Sequence, residues 1–85
     1  MRRVPSRLTP LPEWVIDRRK ALGQRIAEYR RAAGLSQDQL ASRVGVERRS
    51  IQRYEHGERD IKFTDLVLIA DALGVPLADL VRETG

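Results

Sequence analysis

Apolar residues along this chain return at helical spacing, and glycines punctuate them. Trp14, Leu22, Ile26, Tyr29 and Ala33 fall near one stripe of a 3.6-residue helix, with Gly34 placed to stop it. The first helix is expected to open at Pro12, which suits a first turn, or at Asp17 as an N-cap. The next start signal is sharper. Ser36 stands three residues before Gln39, the spacing of a capping box, and Leu35 and Leu40 flank them as a hydrophobic staple. Leu40, Ala41 and Val44 then turn inward and Gly45 closes helix 2. Val46 fills the turn. Helix 3 is expected over about 47–56, with Gly57 as its stop. Helix 4 runs from Phe63 or Thr64 to Leu73, with Leu66, Ile69, Ala70 and Leu73 at core spacing. Pro76 opens a last short helix, PLADLVR, whose Leu77, Leu80 and Val81 can cover the core. No alternating strand pattern appears. The expected architecture is all-α, a compact five-helix bundle.

Length narrows this further. Eighty-five residues make one domain at most, and a chain of that size buries only about 60–65% of its unfolded surface. Two parts are expected, a basic flexible arm at 1–11 and a helical domain at 12–85. Cysteine is absent, so neither disulfides nor thiolate metal sites can hold the fold. No run approaches about 18 apolar residues, and prolines interrupt the basic N-terminus where a secretory signal would need a hydrophobic stretch. The expectation is a cytoplasmic protein with no membrane partner.

Charge is segregated. Residues 1–35 carry nine Arg/Lys against three acids, residues 36–59 five against four, and residues 60–85 two against five. A field that is basic in front and acidic behind attracts a polyanion and orients it. The segment LSQDQLASRVGVERRSIQRYEHG, residues 35–57, shows how one would be met. It reads as two short helices joined by a tight glycine turn, an arrangement suited to placing the second helix in a DNA major groove. At about 100° per residue, Ile51 defines the inward side of helix 3, with Tyr54 and Glu55 near it. Arg49 and Arg53 fall almost opposite, with Gln52 and His56 beside them and Arg48 on the amino-end flank.

Several stretches together extend the pattern: LGQRIAEYRRAAGLSQDQLA, the turn RVGV, SIQRYEHG and LVLIADALGVPLADLV. With these, about residues 22–81, the chain resembles the Cro-type, phage-repressor-like helix-turn-helix family, also called the XRE family. The resemblance implies a DNA-binding domain acting as a homodimer on a two-fold symmetric operator. It implies that Gln37 meets the DNA backbone and a base, that Arg48, Arg49, Gln52 and Arg53 read bases, and that Arg30 and Glu55 form an internal ion pair. Two departures stand out. Glu47 occupies the helix 3 cap where Ser or Thr is common, and ERDIKF replaces a loop that usually carries a proline near position 61.

The residue types suit that chemistry. Arginine offers two parallel donors to guanine O6 and N7, and each such pair discriminates by about 1–3 kcal/mol. Gln37 would sit beside first-turn N–H groups that attract an anion. Arg43 is open between phosphate contact and plain exposure. Ser36 and His56 complete the candidate DNA-binding set, His56 with a helix-end role as its alternative. Glu55, on the inward side, needs a partner. Trp14 is expected to anchor the core or an interface. Arg2, Arg3 and Arg7 could follow a minor groove or form a plain tail.

The expected function is a sequence-specific regulator of transcription on double-stranded DNA, a repressor by preference, inserting helix 3 into the major groove. Two alternatives stay open: the antitoxin of a toxin–antitoxin pair, with a protein partner reached through the N-terminal arm, and a protein-interaction module without a DNA role. No cofactor or metal is expected, and no nucleophile–base pair suggests an enzyme.

Overall fold

The computed structural model describes residues 9–83. They form five helices and no strand: α1 Glu13–Ala32, α2 Gln37–Val44, α3 Arg48–Glu55, α4 Phe63–Leu73 and α5 Leu77–Val81. The arginines at 2, 3 and 7 lie outside the described residues. No helix of the described residues is long and apolar enough to cross a membrane.

Each helix supplies one side chain with no exposed surface: Ile26, Leu40, Ile51, Ile69 and Leu80. At about 1.5–3 kcal/mol for each large apolar side chain fully buried, these five tie every element to one core. Local signals set the ends of α2. The Ser36 side chain accepts from the Gln39 amide at 3.0 Å, and the Ser36 amide donates to Gln39 Oε1 at 2.8 Å. Leu35 and Leu40 are both buried. Gly45 closes α2 at φ 85°, in the left-handed region, where a Cβ would be strained. The turn it makes brings α3 into contact with α2.

Four expectations at element edges need correction. Pro12 caps α1 rather than opening it, and Asp17 lies inside the helix. Trp14 is 63% exposed, so it is not a core anchor. It lies about 120° around α1 from Ile26, away from the buried side, and its ring meets the Arg18 guanidinium at 5.8 Å. Ala33, one residue beyond α1, is exposed as well. Val81, at the end of a five-residue helix, is half exposed and does not cover the core.

Long-range contacts hold α3 from behind. A Cβ on Gly23 would lie 2.3 Å from the Tyr54 carbonyl oxygen, so α1 meets the end of α3 at backbone distance. The Arg25 guanidinium donates to the carbonyls of Asp79, Leu80 and Arg82 and clasps α5 against α1. The Tyr54 hydroxyl donates to Asp65 Oδ2 at 2.7 Å and locks α3 to α4. Burial first, then this bond to a carboxylate, push the phenol up to about 12. The neutral phenol is the favoured folded form. Its stabilisation is therefore complete below a pH of about 10, where a free tyrosine ionises, and is lost as pH rises through about 12. Two units correspond to about 3 kcal/mol. Urea unfolding between about pH 10 and 12 should thus show a steeper loss of stability in the wild type than in Tyr54→Phe; parallel curves would contradict this lock.

Candidate nucleic-acid interface

The outward face of α3 is built by default. Ile51, Tyr54 and Glu55 are buried, and the helical period then forces residues 49 and 53 to the other side. Arg49 is exposed, and Gln52 and Arg53 are half-buried. Neither arginine makes a hydrogen bond or ion pair with another of the described residues. The one acid within α3 is Glu55, and its charge is neutralised internally. Arg48, Arg49 and Arg53 therefore present an uncompensated basic ridge except at its front, where Asp38 approaches Arg48.

Behind the ridge lies a network that ties α1, α2 and α3 together. Arg30 Nε donates to Glu55 Oε2 at 2.7 Å and Nη2 to Oε1 at 3.1 Å. Arg30 Nη1 also donates to the Leu35 carbonyl at 2.9 Å, just before the α2 cap. Gln37 joins from the front, its Nε2 donating to Glu55 Oε1 at 3.0 Å. Glu55 thus accepts three charge-assisted bonds at a site where its side chain is 4% exposed. The sequence brought Arg30 and Glu55 together only through resemblance, and it missed the Gln37 contact, because such contacts are not local.

The remaining candidates spread over the same surface. Ser36, Gln37, Asp38 and Arg48 line one depression with Arg30. Ser36 spends its hydroxyl on the α2 cap. Arg43 is exposed in the last turn of α2. His56 caps the far end of α3, with Nδ1 3.6 Å from Glu58 Oε1. Glu47 precedes α3 without a side-chain cap bond, so its carboxylate is left to other partners. Two residues not singled out from sequence join the surface. Arg31 lines a second depression with Gln37, Glu55 and His56, and Asp38 lies 3.9 Å from Arg48. Arg31 lies outside the two-helix segment from which the site was read.

Comparison with known proteins converges on one family. A family model described as helix-turn-helix matches residues 26–80. An uncharacterized transcriptional regulator in the ATPase CF(0) region of Rhodospirillum rubrum is 45% identical over 56 residues, covering 66% of this chain and 52% of its own length. The cryptic phage CTXphi transcriptional repressor RstR of Vibrio cholerae is 37% identical over 57 residues, 67% of this chain and 51% of its own. The chain thus spans about half the length of these two relatives. Among solved structures, the restriction-modification controller protein C.AhdI of Aeromonas hydrophila superposes with a TM-score of 0.70 at 36% identity, covering 75% of this chain and 96% of that one.

Proposed function

This chain belongs to the helix-turn-helix family, and from that premise we propose that it is a sequence-specific regulator of transcription that binds double-stranded DNA in the nucleoid. In this reading α3 enters the major groove, Arg49 and Arg53 pair with guanines, and Arg48 and Gln52 read adjacent positions. Gln37, Arg43 and the first-turn amides of α2 meet phosphates and fix the register. The observation that carries the reading is a pair of arginines one turn apart, without a partner among the described residues, on a helix whose other face is locked into the core. Binding over a promoter excludes polymerase, and the likeness to a phage repressor supports repression as the outcome. The domain is a binding protein rather than an enzyme.

A homodimer on a two-fold operator is part of the proposal. Phe63 on α4 is 70% exposed, Val67 and Leu68 on the same helix are 40% exposed, and Val81 on α5 is half exposed. Phe63 and Val67, four residues apart and so on one face of α4, offer an apolar strip to a partner. Exposed Trp14 also supports a second reading, a module that docks on another protein. Selection of binding sites from randomised duplexes separates the two. The DNA reading expects enrichment of a symmetric motif with half-site centres about 10 base pairs apart. It also expects affinity that falls steeply with salt. No enrichment, with no mobility shift at low salt, would favour the protein-docking reading instead.

A further inference from the structure

A carboxylate stands at the front of a surface that would attract phosphate best if it were wholly basic. Asp38, in the first turn of α2, places Oδ1 3.9 Å from Nε of Arg48, in the first turn of α3; the two side chains are 71% and 57% exposed. The first turn of α2 favours a carboxylate at position 38 through the helix dipole. An ion pair that open to solvent adds little to folding, so the approach of Asp38 to Arg48 is not needed to hold the fold. Its position is at the mouth between the two helices of the candidate interface, beside Gln37. Arg49 and Arg53 have no such acid among the described residues. Glu47, the residue before α3, makes no side-chain cap bond.

The geometry of the guanidinium gives the pair a use. Its five N–H donors lie in one plane. A carboxylate at Nε leaves the two terminal nitrogens free, and these suffice for bidentate pairing with guanine O6 and N7. At 3.9 Å the carboxylate attracts the guanidinium without hydrogen-bonding it, and that attraction favours rotamers of the long side chain that keep it beside α2. Toward phosphate the same carboxylate acts the other way, because it cancels the charge that non-specific binding needs. We propose that Asp38 is a specificity-determining residue, which orients Arg48 for base reading and penalises non-specific backbone contact. The inference rests on the DNA-binding reading above.

The test compares the full chain with Asp38→Asn, Arg48→Ala and the double variant. Each is titrated against the selected duplex, against its variants at every base pair of one half-site (the Arg48 base pair being the one where Arg48→Ala loses discrimination), and against a random-sequence duplex. Asp38→Asn should bind the random duplex about threefold to fivefold more tightly, with a steeper salt dependence. It should lose discrimination at the Arg48 base pair by a similar factor of about three to five. In the Arg48→Ala background it should leave discrimination unchanged, since the side chain it orients is gone. An equal gain on every duplex would overturn the proposal as a general charge effect. So would the same loss of discrimination with and without Arg48, or no change at all. If only the proposal fails, the wild type keeps its sequence preference; a wild type with no preference would remove the underlying reading as well.

Discussion

Glu55→Ala should lower the unfolding free energy by about 3–5 kcal/mol, the range for removing one member of a buried pair. The reason lies in what stays behind. Arg30 keeps its charge with its side chain 12% exposed, and its remaining described partner is the Leu35 carbonyl. Gln37 loses the acceptor that fixes its amide. A loss of that size is a large part of the about 5–15 kcal/mol that holds a small domain together, and it should lower the melting temperature by well over 10 °C. Arg30→Met combined with Glu55→Leu should recover much of the loss, because no buried charge is then stranded. Thermal and urea unfolding of the wild type and the two variants would check this. A change below about 1 kcal/mol in Glu55→Ala would mean that the network is not structural.

Arg49→Ala combined with Arg53→Ala should do the reverse, leaving the fold intact and removing recognition. Neither side chain has a described partner to lose, so stability should stay within about 0.5 kcal/mol of the wild type. Two guanine pairs at about 1–3 kcal/mol each amount to about 2–6 kcal/mol, or roughly thirtyfold to over ten-thousandfold weaker binding to the selected site. Binding to random duplex should weaken far less, through the loss of two charges alone. Titration of both duplexes at one salt concentration measures the ratio. Equal losses on the two would mean that these arginines meet only phosphate.

What could be read in advance was what is local or periodic. The capping box, the staple and the glycine after α2 are spaced within a few residues of one another, and each forms as its spacing demands. The outward direction of residues 49 and 53 follows from Ile51 and the helical period. Periodicity misled at the ends. The stripe that includes Trp14 is too wide: at about 100° per residue Trp14 lies about 120° around α1 from Ile26 and opposite Gly23, and both of those are buried. Val81 failed for the same reason at the other terminus. Contacts between distant elements were beyond reach. Gly23 looks like a mild flaw in a helix until the Tyr54 and Glu55 carbonyls are seen against it. The pairing of Asp38 with Arg48 likewise depends on how the turn at Gly45 sets the two helices.

Sequence-specific binding requires α3 to lie in a major groove with Arg49 and Arg53 against base edges. Dimethyl sulfate probes that placement directly, since it methylates guanine N7 in the major groove and adenine N3 in the minor groove. On the selected duplex the wild type should protect guanine N7 in each half-site, and the double arginine variant, at a concentration that still occupies the duplex, should leave those positions reactive. Protection confined to adenine N3, or N7 protection that survives loss of both arginines, would contradict it.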